Sequence, residues 1–456
     1  MKVFVRKFVV FVIVWLSLPA SGFAQTAVSN QEVAAKVDEY MNALVNVKGF
    51  GGAVLVARDG KPIVGHGYGL ANVELNVANT AQTKFRLGSL TKQFTAGAIL
   101  LLQERGKLNV RDGICKYLQD CPAAWQTITI HQLLTHTSGI ANITALADWE
   151  AKKTLPATLA QNIARFRDLP LEFKPGEQFK YSNSNYLLLG ALVEKASGTS
   201  YEAFMKENVF APLKMADTGL DHSAQILKNR AAGYSRVGET LVNASYIEMS
   251  IPSAAGALYS TVEDLLRWDQ ALYTENFLTR KSLDAMFTAE KNGYAYGWGV
   301  GTLNNRRYIA HTGGIEGFSA HISRFPDARA TVIVLLNNDN APANLVAGDL
   351  AAILFGENYE VPKGRRQITL DAKIYDAYLG QYEIAPGFAL TITREGNKLM
   401  VQATGQPAAE LFPESETKFF LRVVDAQITF TKEASGKVTG LILQQGGQNI
   451  PAKKIK

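Results

Sequence analysis

Phe85-Arg86-Leu87-Gly88-Ser89-Leu90-Thr91-Lys92 opens a segment whose apolar residues recur at helical spacing through Ile99 and Leu102 to Gly106. The spacing predicts a helix with Ser89 in its first turn, where residues three apart share a face. Lys92 then reaches the Ser89 hydroxyl, and an amine stripped of water acts as a base toward it. The helix N-terminus also favours negative charge developing there. Ser-x-x-Lys alone has no weight: about two matches arise by chance in a chain this long, and Ser415-Glu416-Thr417-Lys418 is another. Context separates them, because Ser415 follows Pro413 and Glu414 with no helical pattern behind it.

Two further segments carry chemistry. Tyr181-Ser182-Asn183 lies in a polar loop just before the apolar helix Leu187 to Ala196, with Tyr181 read as a proton shuttle and Asn183 as a positioner. The plain reading of that loop is a helix cap with a packed tyrosine. His311-Thr312-Gly313-Gly314 ends a strand; its glycines let the backbone approach a ligand, and a free strand N–H binds an oxyanion. The plain reading there is a turn. Gly-x-Ser-x-Gly, His-Glu-x-x-His and Gly-x-x-x-x-Gly-Lys-Ser/Thr are all missing, which removes the best evidence for an α/β-hydrolase, a zinc peptidase or a P-loop protein. His131 and His136 are five apart with no acid between them and read as structural. So do Tyr296, Trp298 and Phe318 as strand packing, and Ser138 as a loop residue.

Ser-x-x-Lys, Tyr-x-Asn and a His-Thr-Gly strand, in that order, resemble the serine β-lactamase and penicillin-binding-protein superfamily. The branch is the one holding class C β-lactamases, D-alanyl-D-alanine carboxypeptidases, D-aminopeptidases and esterases. Leu133-Leu134-Thr135-His136-Thr137-Ser138-Gly139, Ala254-Ala255-Gly256-Ala257-Leu258 and Tyr296-Gly297-Trp298-Gly299 fit the same pattern, and the resemblance covers about residues 29 to 356. It implies that Ser89 forms an acyl-enzyme, that Lys92 and Tyr181 share the proton transfers, and that Asn183 holds Lys92 and the substrate amide. It also implies an oxyanion hole from the backbone N–H groups of Ser89 and Gly314, and needs no metal or other cofactor. His311 departs from the lysine usual in β-lactamases and carboxypeptidases. A mostly neutral imidazole weakens carboxylate recognition, so the expected substrate is a small amide or ester, including D-amino-acid peptides and amides. The alternatives are a β-lactamase or D-alanyl-D-alanine carboxypeptidase, and an acylatable binding or sensing protein without turnover. The expected partner is a small molecule or short peptide, cell-wall fragments included.

The remaining sequence sets the context. The 456 residues are 47% hydrophobic and 19% charged, an ordinary globular mixture. Residues 1–24 read as a secretory signal: Lys2, Arg6 and Lys7, an apolar run from Phe8 to Leu18, then Gly22-Phe23-Ala24. That run is too short for a membrane span, so the expected mature chain is exported to the periplasm or beyond and spans no membrane. Without the leader, 44 basic and 41 acidic residues remain, and no basic stripe supports nucleic-acid binding. In an oxidising compartment Cys115 and Cys121 can pair, closing a small loop for roughly 2 kcal/mol; two buried thiols are the alternative.

The expected fold is α/β. A capping box at Ser29-Asn30-Gln31-Glu32 starts a helix burying Val33, Val37, Met41 and Leu44. A hairpin follows, Gly52–Ala57 and Pro62–Gly69 about Arg58-Asp59-Gly60-Lys61. After a largely helical insertion, Phe85 to Phe287, strands are expected at Tyr294–Thr302, Tyr308–His311, Phe318–Phe325 and Thr331–Asn337, then a helix at Ala343–Phe355. This is an antiparallel sheet flanked by terminal helices, with a cleft against the insertion, spanning residues 25–360. Residues 361–370 read as a linker. Residues 371–456 read as a small all-β domain, barrel or sandwich, with short strands expected at Leu390–Thr393, Lys398–Val401, Phe419–Val424, Ile428–Thr431 and Val438–Leu443, and the domain resembles the lipocalin-like barrel appended to some relatives.

Overall fold

A computed structural model describes residues 28–118, 120–238, 240–364, 367–422, 426–445 and 448–456. The leader at 1–24 and the Arg365-Arg366 step of the expected linker lie outside them.

Helix α1, Asn30–Lys48, is capped by Ser29, whose hydroxyl accepts the Glu32 N–H, and buries Val33, Val37, Tyr40, Met41 and Leu44. The capping box is only half made, because the Glu32 carboxylate turns to Lys36. Six strands form the main sheet: β1 Gly52–Arg58, β2 Lys61–Tyr68, β3 Gly299–Leu303, β4 Arg306–Ile315, β5 Phe318–Phe325 and β6 Ala330–Leu336. Their order is β3-β4-β5-β6-β1-β2. Strand β1 near the start thus lies antiparallel against β6, Gly52 opposite Leu336 and Arg58 opposite Ala330.

Alternation along β1 and β6 separates two cores. Val54, Val56, Val332 and Val334 pack under α1 and the helix Ala343–Phe355. Ala53, Leu55, Ile333 and Leu335 face the helical insertion. Because both faces are covered, these strands read as continuous apolar runs. The expected strand at Tyr294–Thr302 is shorter than its sequence suggested: only Gly299–Leu303 is strand, and the chain bends at Gly297 with φ 76°. The insertion also carries two small sheets that its helical pattern concealed, Phe85–Arg86 with Leu258–Ser260 and Gly219–Leu220, and the ribbon Tyr234–Val237/Thr240–Asn243.

The C-terminal region is a closed antiparallel barrel of eight strands, not a sandwich. They are β7 Gly380–Ala385, β8 Phe388–Glu395, β9 Lys398–Ala403, β10 Ala409–Pro413, β11 Lys418–Phe420, β12 Ala426–Lys432, β13 Val438–Gln445 and β14 Gln448–Lys454. Pairing of β14 with β7, Tyr382 opposite Lys454, closes it around Tyr378, Tyr382, Phe419, Ile428 and Phe430. Sequence patterning missed β7, β10 and β14, which have few apolar residues in strict alternation. It also ran the strand at Phe419 on to Val424, whereas β11 ends at Phe420; Val423 and Val424 lie outside the described residues.

Candidate active site

Leu87 is followed by a single tight turn, Gly88–Leu90, that feeds helix α2, Thr91–Glu104. Ser89 sits in that turn and Lys92 on the first turn of α2, so Lys92 Nζ comes within 3.0 Å of Ser89 Oγ. Gly88 has φ 51°, and a Cβ on it would meet the Gly314 backbone at 2.7 Å. A Cβ on Gly313 would come within 1.9 Å of the Leu87 carbonyl oxygen. Glycine at both places lets β4 lie directly against the serine turn, bringing His311-Thr312-Gly313-Gly314 beside Ser89.

Tyr181-Ser182-Asn183 does not lie wholly in a loop. Helix α3 runs Asn183–Ser197, with Asn183 its first residue. Its backbone N–H donates to Asn142 Oδ1 at 3.0 Å and its side-chain amide to Thr144 Oγ1 at 3.4 Å. That leaves Asn183 Oδ1 to accept from Lys92 Nζ at 2.8 Å. Lys92 is fully buried, and its third partner is the Ala255 carbonyl at 2.7 Å. Burial holds its pKa well below the usual lysine value.

The hydrogen count around a neutral Lys92 amine follows from these partners. Asn183 Oδ1 and the Ala255 carbonyl can only accept, so they take its two hydrogens. The lone pair is left for the third direction, toward the Ser89 hydroxyl. Tyr181 Oη is buried, and among the described residues nothing makes a close, well-aligned hydrogen bond to it. Burial pushes its pKa upward and Ser89 pulls it partly back; the group is therefore a phenol facing the serine. Its ring lies 4.9 Å from Lys92 Nζ.

His311 is buried on β4. Its Nδ1 lies 2.8 Å from the Thr312 carbonyl oxygen, which can only accept. The proton is thus on Nδ1, and Nε2 accepts from Tyr294 Oη at 3.0 Å. Burial first, then nearby Lys92, pushes its pKa down to about 3. The imidazole is neutral and both nitrogens are engaged. Thr312 points its hydroxyl to His321 Nδ1, 2.8 Å away, so its side chain serves the strand pairing.

Sequence reasoning passed over residues that build this site. His136, read as structural, packs against Tyr181 with ring centroids 4.2 Å apart and the rings tilted by 41°. Its carbonyl accepts the Lys180 N–H and its Nδ1 the Ser182 N–H, so it grips the chain on both sides of Tyr181. Gly297 lies on the Lys92 backbone, where a Cβ would meet its carbonyl oxygen at 2.8 Å; the bend that shortened β3 follows from this contact. Glu316, just past β4, was not singled out at all. The phrases Leu133–Gly139 and Tyr296–Gly299 pointed to these places without assigning roles.

A cleft of about 110 Å³ opens on Ser89, walled by Ile143, Trp149, Leu187, Ile247 and Gly314, with Glu316 at its edge. A larger cavity of about 400 Å³, lined by Phe210, Met215 and Tyr259, shares none of these residues. Tyr296, Trp298 and Phe318 belong to the core beneath the sheet and not to the cleft. Ser138 donates to Asn185 and has no base. The Ser415 repeat of the motif lies in the connection between β10 and β11, with no helix following it. Cys115 and Cys121 are joined in a disulfide with Cα atoms 5.3 Å apart. Among the described residues no group of three or more metal-ligating side chains forms, and no helix is long and apolar enough to cross a membrane.

Comparison with known proteins agrees with this geometry. Residues 33–356 match the Beta-lactamase family, and residues 364–454 match a domain of unknown function, DUF3471. Penicillin-binding protein 4* of Bacillus subtilis is 32% identical over 88% of this chain and 94% of its own. The octameric penicillin-binding protein homologue from Pyrococcus abyssi superposes with a TM-score of 0.66 at 26% identity, over 93% of this chain and 100% of that one. A D-stereospecific amidohydrolase from Streptomyces sp. gives a TM-score of 0.63 at 26% identity, over 71% and 99%.

Proposed function

Because the chain belongs to the β-lactamase family of serine hydrolases, we propose that it is an exported enzyme that cleaves a small amide or ester through an acyl-enzyme on Ser89. The observation that carries the reading is the Lys92 amine. It is buried with Asn183 Oδ1, the Ala255 carbonyl and Ser89 Oγ around its Nζ, and in its neutral form the first two take its hydrogens and leave its lone pair toward Ser89 Oγ, 3.0 Å away. Ser89 attacks the carbonyl carbon as Lys92 takes its proton. Negative charge on the carbonyl oxygen is met by the backbone N–H groups of Ser89 and Gly314. The C–N or C–O bond then breaks, the leaving group taking a proton from the Tyr181 phenol or from protonated Lys92. Water attacks the ester in the second half, the Lys92–Tyr181 pair accepts its proton, and the acid departs. No metal or organic cofactor is required.

Neutral His311 supports the choice of substrate. It presents no charge to a carboxylate, so a penicillin or a terminal D-alanine loses the cation that would anchor it. The similarity to a D-stereospecific amidohydrolase supports an amide of a D-amino acid. The test is intact mass after incubation with a fluorophosphonate. Wild type gains one phosphonyl group and Ser89→Ala gains none; equal labelling of the two, or labelling of neither, removes the mechanism. A parallel incubation with a penicillin should leave no lasting adduct.

A further inference from the structure

Charge in the cleft is one-sided. Of the residues lining it, Glu316 alone has a side chain charged at neutral pH, and no lysine or arginine is among them. Lys92 lies behind the wall with its pKa held well below the usual lysine value by burial, and His311, pushed down to about 3, is neutral. Glu316 follows Gly314 by two residues, just past the end of β4, and is among the residues lining the cleft that opens on Ser89. Lys153 meets one oxygen, Oε1, at 3.0 Å, but divides its charge with Glu150 at 2.7 Å. One cation between two carboxylates leaves a net negative charge at the cleft edge. Apolar Ile143, Trp149 and Leu187 supply the rest of the wall.

From this arrangement, and resting on the serine hydrolase reading above, we infer that Glu316 is a specificity-determining residue that binds a protonated amine on the acyl side of the substrate. The substrate class is an amide, peptide or ester of an amino acid whose α-amine is free. An acylated amine or a carboxylate at that place is disfavoured, the first because it carries no charge, the second because it repels Glu316.

The test measures protection of Ser89 against fluorophosphonate labelling, read by intact mass. The competitors are alaninamide in both D and L forms and the N-acetyl derivative of each. In wild type the free-amine compound of the preferred hand should protect at least tenfold better than its acetylated form. Glu316→Gln should collapse that ratio toward one. Lys153→Met, which leaves the Glu316 charge uncompensated, should raise it. If the Glu316–Lys153 bridge only staples the loop, the two variants will move the ratio alike or leave it unchanged, and the proposal is overturned. It also falls if neither compound protects wild type while Ser89 still labels. Absence of labelling altogether would sink the Ser89 reading instead, so the two failures are distinct.

Discussion

At the scale of single residues, the site is organised around a buried lysine whose pKa burial holds well below its usual value. Below its lowered pKa, Lys92 is an ammonium and cannot take the Ser89 proton; above it, the amine is free to do so. Activity should therefore fall as pH drops through that value, and kcat/KM should show one acid limb below the ordinary lysine range. His311, pushed down to about 3, and His321, pushed down to about 4, titrate too low to supply the limb. Measured pH profiles of wild type and His311→Gln should accordingly keep it at the same position. Tyr181→Phe keeps the ring packed against His136 and removes only the hydroxyl, and should lower kcat about 10²–10⁴-fold. Steady-state kinetics on a p-nitrophenyl ester checks both. Ser89, Lys92, Tyr181 and Asn183 were legible because each sits in a short local pattern at a helix start. Ala255, Thr144 and Glu316 were not, since Ala255 acts through its backbone, Thr144 lies on a single 3-10 turn, Ile143–Ala145, and Glu316 lies in the turn after β4.

At the scale of elements, the decisive event is β4 lying against the turn that begins α2. Gly313→Ala would place a methyl group where the Leu87 carbonyl sits, pushing the strand back and spoiling the oxyanion hole proposed for Ser89 and Gly314. Loss of one such donor costs about 10²–10³ in kcat, and that is the expected fall, with KM changed less. Gly348, within the helix Ala343–Phe355, has nothing within 4 Å of a Cβ. Gly348→Ala should raise stability by about 0.5–1 kcal/mol in urea melts and leave labelling of Ser89 alone. Sequence reading placed the main strands and terminal helices because their periodicities are strong. It failed at Tyr294–Trp298, where an apolar run that looks extended must bend so that Gly297 can lie on Lys92, and at short strands whose pairing depends on distant partners.

At the scale of the whole molecule, the chain holds separate cores, two around the main sheet and one inside the barrel. The barrel core contains no residue before Leu370. A chain ending at Glu360 should therefore fold and label at Ser89 at close to the full-length rate; failure of the shortened chain to label would show that the barrel supports the site. Sequence composition announced the change of character near residue 361 but not the barrel's closure, because closure depends on β14 finding β7 across the entire domain. The pairing of β1 with β6 has a consequence in time. A ribosome releases the chain from its N-terminus at about 5–20 residues per second. Residue 58 therefore waits for residue 330, some 270 positions or roughly 15–50 s of synthesis. Ser89, Lys92 and Tyr181 are all made well before β4 at Arg306–Ile315, the strand proposed to complete the oxyanion hole. On the proposed mechanism, the nascent polypeptide carries its nucleophile unarmed until that strand has been made.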